Sequence, residues 1–504
     1  MKSFRIRAVA FVASAALLAL TACSAGSGTS PGSTTGASQS LAIGLVAEPA
    51  SLDFTTTDGA AIPQALLGNV YETLVKLDES GKIVPSLAKS WTTSPDRKTY
   101  TFDLVDNAKF TNDKPFTAAD AVFSINRVKT AWTTQLKAAM DVVQNVKALS
   151  ATQLQVTLSR PSNDWLFRMT TRIGAMFSET GVSALATAPI GTGPFKFSKW
   201  NRGDSIVLQR NDGYWGSKPY FNEITLKYFK DPTALNNALL TGTINVIGTV
   251  QAPEALSQFT SNDKYQVIEG TTNGEVLLSF NNSEPIFKDI RTRQGIRQAI
   301  DHKALLDTCF AGRGKLIGSM VPPTDPWYED LTSIDPYDLA KAKSLLQASG
   351  AAGKTLRLRL PTLPYAISCG QVVKSQLEQA GLKVQIDQLE FPAAWLTTVL
   401  KNADYDMSII AHVEPRDLGT VFGSTKYYTK YDDPTLRQLL AAADTGNEAA
   451  QIDNMKKAAR RLSEQAAADW LFLLPNLIVA DKNLTGLPQN AITENFDLSR
   501  LARS

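Results

Sequence analysis

Apolar positions along the chain fall into two rhythms. Residues 98–104 place Tyr100, Phe102 and Leu104 on one side and Thr99, Thr101 and Asp103 on the other, the two-residue period of a half-buried strand. Thr117, with Asp120 three residues on, opens a helix over 117–128 that turns Ala121, Val122 and Ile125 inward. Leu66, Leu67, Val70 and Leu74 give near-helical spacing over 61–74. Strands are predicted over 41–46, 142–158 (two, divided near Ser150), 195–197, 206–208 and 223–229. Asp231-Pro232-Thr233 starts a helix toward Leu240, closed by Gly242. Beyond residue 273 strand and helix alternate: strand 276–280, helices 292–306 and 337–350, strand 356–360, helix 370–381, strand 384–389, helix 392–400 and strand 405–411. That order predicts an α/β domain with a largely parallel sheet, preceded by a region richer in strands and turns. Two lobes of different texture follow.

The N-terminal pattern is of another kind. Lys2, Arg5 and Arg7 precede an apolar run over 8–20, too short to cross roughly 30 Å of hydrocarbon but suited to the core of a secretory signal. Leu20-Thr21-Ala22-Cys23 follows and resembles the lipobox of bacterial lipoproteins, in which the Cys thiol takes the lipid. The expectation is a lipoprotein signal over 1–23 and a protein held by acylated Cys23 on the extracytoplasmic face of the cell membrane. An ordinary signal peptide with an incidental Cys23 is the alternative. Residues 24–40 hold mainly Ser, Gly, Thr and Ala, too little apolar surface to offset ordering entropy, and read as a disordered tether.

Composition narrows the function. A formal net charge of +3 without a basic block argues against nucleic acid. Length predicts two or three domains. Besides Cys23 there are two cysteines, Cys309 and Cys369, which in an oxidising compartment either pair or remain two buried thiols. With two histidines, His302 and His412, and no CxxC, no resident metal or cofactor is expected. The chain has no GxSxG, no HExxH and no phosphate-cradling glycine loop, so it reads as a binding protein and not an enzyme.

A series of segments in fixed order resembles the family-5 extracellular solute-binding proteins, the peptide-, dipeptide- and nickel-binding class of import receptors. They include Asn69-Val70-Tyr71-Glu72-Thr73-Leu74, Tyr100-Thr101-Phe102-Asp103-Leu104, Pro115-Phe116-Thr117-Ala118-Ala119-Asp120, Gly191-Thr192-Gly193-Pro194-Phe195, Asn211-Asp212-Gly213-Tyr214-Trp215 and Phe280-Asn281-Asn282. The resemblance runs from about residue 41 to the C-terminus. It implies an α/β, two-lobed periplasmic-binding-protein type II fold (cluster C) with an extra subdomain in the first lobe. The implied boundaries are 41–66, 190–272 and 473–504 for lobe I, 67–189 for the inserted subdomain and 273–472 for lobe II. It further implies a monomer that delivers a small solute, foremost a peptide, to ABC permease subunits. Receptors for a nickel chelate, haem, or a sugar- or opine-like solute are the alternatives.

A closing cleft needs aromatic walls and a few charged anchors. Trp395 matches a cleft-lining Trp of the oligopeptide-binding branch, with a core Trp as the alternative reading. The loop His412-Val413-Glu414-Pro415-Arg416-Asp417 follows a strand, where ligands of open α/β sheets gather. Peptide-binding relatives place an Asp there against the ligand's α-ammonium. Matching Pro415 to the relatives' Pro puts Ala411 at that position, which leaves Glu414 or Asp417 as substitutes and His412 as a contact for a metal chelate. A surface loop with a local ion pair is the plainer alternative. Ser51 and Asp53, in the loop after the first strand, and Tyr71, Asn281 and Tyr427 complete the candidate set.

Overall fold

The computed structural model describes residues 39–504. Cys23, the signal segment and nearly all of the 24–40 tether lie outside the described residues. Ten strands form one large sheet in the order Lys383–Leu389, Thr355–Pro361, Met407–His412, Tyr265–Phe280, Ala468–Asp481, Val246–Ile247, Ser40–Leu45, Glu223–Tyr228, Ser205–Arg210 and Phe195–Asn201. Ser40–Leu45 shows how a strand of such a sheet is buried on both faces. Leu41, Ile43 and Leu45 enter one core, and Ala42 and Val46 pack against another.

A separate antiparallel sheet carries the strands Ala88–Thr93, Thr99–Leu104, Gln153–Leu158 and Val143–Ser150. Tyr100, Phe102 and Leu104 alternate into its core with Leu154, Val156 and Leu158. The helix Ala118–Ala131 covers them with Ala121, Ile125 and Val128, and Thr117 and Asp120 form a reciprocal capping box at its start. These residues share one core with Ser40–Leu45 and its neighbours. Two further cores lie elsewhere, one around Phe280, Leu358 and Trp395 and one around Trp327, Phe422 and Trp470.

Two long strands run side by side through the sheet. Tyr265–Phe280 pairs antiparallel with Ala468–Asp481, and their register shifts between Thr271 and Glu275. There Thr272 Oγ1 donates to the Leu474 carbonyl at 2.6 Å and accepts from the Gly274 amide. The ladder is interrupted at this point.

The structure departs from the periodicity in four places. The sheet beyond residue 273 is mixed: Thr355–Pro361 runs parallel to both its neighbours, but Tyr265–Phe280 is antiparallel to both of its own. The helix expected over 61–74 is only Ala61–Leu66. Beyond it the backbone is taken up by a loop in which Gly193 and Phe195 donate to the Val70 and Asn69 carbonyls. A Cβ on Gly191 would stand 1.9 Å from the Val70 oxygen, so only glycine permits that approach. The helix expected over 292–306 is two helices, because Ile300 is extended and Asp301 caps a second one, His302–Cys309. The segment 392–400 is one short helix, Ala393–Trp395, followed by the wider turn Leu396–Lys401. Cys309 and Cys369 are joined as a disulfide that ties His302–Cys309 to the helix Pro364–Gln379. Among the described residues no helix is long and apolar enough to cross a membrane.

Candidate functional site

The loop 412–417 leaves the strand Met407–His412 and meets Arg168 and Arg172. It is interior and not a surface loop: His412 is 5% exposed and Asp417 4%. The His412 ring stacks on Tyr428 at 5.8 Å, and its Nε2 is hydrogen bonded to the Tyr428 hydroxyl at 2.8 Å. That hydroxyl also meets Ser279 Oγ at 2.6 Å. The other ring nitrogen, Nδ1, lies 3.5 Å from Asp417 Oδ2, an oxygen with no hydrogen-bond partner of good geometry.

Glu275 is the cross-strand partner of His412. It is buried at the register shift of the two long strands, and one of its carboxylate oxygens lacks a partner. Burial, with Asp417, Asp325 and Glu414 nearby, pushes its pKa well above the ordinary carboxylate value. Burial likewise raises Asp417, against the pull of His412, and lifts Asp325 to about 6 against the pull of Arg416.

Glu414 meets a guanidinium from the opposite side, with Arg172 donating to its Oε1 at 2.9 Å. Arg172 is fully buried and also donates to Glu494 through both Nε, at 2.8 Å, and its backbone amide, at 2.7 Å. Burial opposes the Arg172 charge, but Glu494 and Glu414 outweigh it and hold the group firmly protonated. Asp58, beside the same guanidinium, has its pKa raised by burial. Arg416 adopts a left-handed backbone (φ 56°) and lays its guanidinium over Phe167 at 4.0 Å and Trp327 at 4.8 Å, within 3.4 Å of Asp325. Arg168 donates to the Arg416 carbonyl at 2.9 Å and so fixes the path of the loop.

The other predicted residues are placed differently. Trp395 is 3% exposed, donates to Ser408 Oγ at 3.1 Å and packs edge-on against Tyr428, one layer behind His412. Tyr427 borders His412 and Tyr428. Asn281 spends its amide on the Ala403 and Tyr405 carbonyls and its oxygen on Ser283, holding a turn. Asp53 caps its own turn through Thr55 and Thr56, and Ser51 Oγ accepts from the Asp53 amide. Tyr71 is buried against Phe54 and Phe177, its hydroxyl without a partner. Sequence reasoning did not pick out Arg172, Glu275, Asp58, Glu494 or Tyr428. Arg172 stands alone in an irregular stretch and carries no motif. Glu275, a charge at the head of an apolar strand, was the one signal available.

Two cavities flank the loop. One, of about 570 Å³, is lined by Ala411, Val413, Tyr365, Phe391, Gly274 and Glu494 among others. The second, of about 700 Å³, is lined by Phe167, Arg168, Trp327, Arg416 and Tyr427 among others. Glu414 lies between Val413 of the first and Arg416 of the second, and Arg172 lies between Thr170 and Ile173 in the same way. The family model described as "Bacterial extracellular solute-binding proteins, family 5 Middle" matches residues 82–432.

The chain belongs to the family-5 bacterial extracellular solute-binding proteins. Among its family-5 relatives, the nickel-binding periplasmic protein of Escherichia coli is 32% identical over 350 residues, covering 63% of this chain and 65% of that protein. The matched region thus spans about two thirds of that relative's length. The dipeptide-binding protein of Escherichia coli is 25% identical over 371 residues, covering 67% of this chain and 68% of that one. A solved structure of the periplasmic binding protein DppA from Helicobacter pylori, in complex with the peptide STSA, superposes with a TM-score of 0.85 at 22% identity. That match covers 92% of this chain and 98% of the other. The fold is therefore the two-lobed one of this family.

Proposed function

We propose that this chain is the extracytoplasmic receptor of an ABC import system, and that it encloses a small peptide between its lobes and presents it to permease subunits. In this reading it works as a monomer, with lobe I over 41–66, 190–272 and 473–504, an inserted subdomain over 67–189, lobe II over 273–472, and a lipid on Cys23 as its tether. The observation that carries the peptide reading is the accumulation of buried carboxylates at the lobe crossing. Burial raises Glu275, Asp417 and Asp58 together, and Glu275 and Asp417 each keep an oxygen without a hydrogen-bond partner. A peptide's α-ammonium supplies the missing positive charge and donors. Apolar and aromatic walls such as Tyr365, Phe391 and Val413 suit side chains of varied shape.

A specific observation favours a second reading, a nickel chelate. His412, Glu414 and Asp417 each offer a ligand atom, and these lie within 4.8 Å of one another. The 32% identical relative is named for nickel binding. Calorimetry separates the readings. A free tripeptide is expected to bind, with its N-acetylated twin weakened about a hundredfold, the equivalent of roughly 2.7 kcal/mol. Equal binding of the two peptides removes the ammonium anchor, and heat from nickel with histidine but from neither peptide selects the chelate.

A further inference from the structure

Apart from the loop 412–417, the seam between the inserted sheet and the second lobe holds a second contact, built on the end of one helix. The helix Pro434–Thr445 points its C-terminus at the segment 160–164. Arg97 donates to the carbonyls of Thr445 and Gly446 at 2.5 and 2.7 Å. Asn163 donates to those of Ala443 and Gly446, each at 2.8 Å. The Asp444 carboxylate accepts from Arg160, from Ser162 Oγ at 2.6 Å and from the Asp164 amide at 3.0 Å.

Each element is explained by its partner across the seam. The last turn of a helix leaves carbonyls without intrahelical donors and carries the negative end of the macrodipole. An aspartate there is disfavoured within its own helix. Asp444 becomes favourable only when the donors of 160–164 stand opposite. Arg97, Arg160 and Asn163 complement both the dipole and the carboxylate. No core is shared here: the inserted sheet belongs to one apolar cluster and Leu436 to another, while Ala443, in neither, lines the second cavity beside Asn163. The bonds are made by residues outside the apolar clusters and so can be made and broken without exposing a core. The helix lies beyond residues 82–432, the span matched by the family model.

We infer that Asp444 and the C-terminal carbonyls of this helix form a clasp with Arg97 and residues 160–164 that sets how long the lobes stay closed. The Arg160 side chain is half exposed, so its ion pair contributes little alone. The clasp acts through the sum of its bonds. This inference rests on the receptor reading; Arg160, Asn163 and Asp444 also line the second cavity, and the role assigned to Asp444 is to hold the helix end against residues 160–164.

The test compares wild type with Asp444→Asn and, at a second point of the clasp, Asn163→Ala. Small-angle scattering of the purified protein without added ligand should show a larger radius of gyration for both variants. Stopped-flow release of a fluorescent tripeptide should be faster on the order of tenfold, with the melting temperature unchanged. Wild-type dimensions and wild-type release in both variants overturn the clasp. Should the tripeptide bind none of the three proteins, the peptide reading fails and the scattering comparison alone decides the clasp.

Discussion

Arg172 donates to Glu414 at 2.9 Å and to Glu494 at 2.8 Å, and the two carboxylates come from segments 80 positions apart that meet only in the folded molecule. The arginine is fully buried, Glu494 is nearly so, and Glu414 keeps a side-chain exposure of 26%. Removing one partner of a buried pair leaves the other charge stranded. Arg172→Ala should therefore cost about 3–5 kcal/mol of stability in urea unfolding. Glu414→Gln should cost under about 1 kcal/mol, because Glu494 still satisfies the guanidinium and water reaches the substituted side chain. Equal costs for the two variants would show that the pair, and not Glu494, holds the arginine.

Glu275 sets the sign of a pH effect. Its folded-state pKa lies above the ordinary value, so the folded protein binds this proton more tightly than the unfolded chain. Stability from this group is complete below the unfolded value of about 4.3 and is lost as pH rises toward the raised folded one. Asp325, lifted to about 6, acts in the same direction. Glu275→Gln should remove that loss and stabilise the protein at pH 7 by about 1–3 kcal/mol, with a smaller effect at pH 4. Melting curves across that range check it. A variant less stable than wild type at pH 7 would mean that the charged carboxylate is needed.

The Cys309–Cys369 bond closes a loop with a sequence separation of 60. Replacing both cysteines by serine should cost about 2–4 kcal/mol, chiefly by freeing the unfolded chain. Denaturant titration with and without reductant measures it, and the reductant should not affect the double variant.

Membrane attachment should depend on Cys23. In Cys23→Ala the protein is expected in the soluble or secreted fraction, without label from a fatty-acid analogue. A variant that stays in the membrane and still takes up label would refute the lipobox reading.

Local rules described most of the strands and missed what tertiary contacts decide. Thr99–Leu104 and Ala118–Ala131 are legible because alternation and a capping box are properties of neighbours in sequence. The loop after Ala61–Leu66 is not, since its backbone bonds go to residues near 193. The same division applies to the site. His412, Glu414 and Asp417 are legible as candidates because they follow a strand in one loop. Arg172, Glu275 and Glu494 come from three distant segments, and only the pairing of Tyr265–Phe280 with Met407–His412 brings Glu275 opposite His412.

The strand Ala468–Asp481 lies between Tyr265–Phe280 and Val246–Ile247, at the middle of the large sheet, yet it comes last in chain order among the ten strands of that sheet. Until it arrives, the sheet is two fragments, each with an unpaired edge of main-chain donors and acceptors. The other nine strands must therefore be made before the sheet can be completed. A chain in that condition is an aggregation hazard, because its unpaired edges can add strands from other chains. Loss of residues 465–504 would remove this strand, and with it the continuity between the two halves.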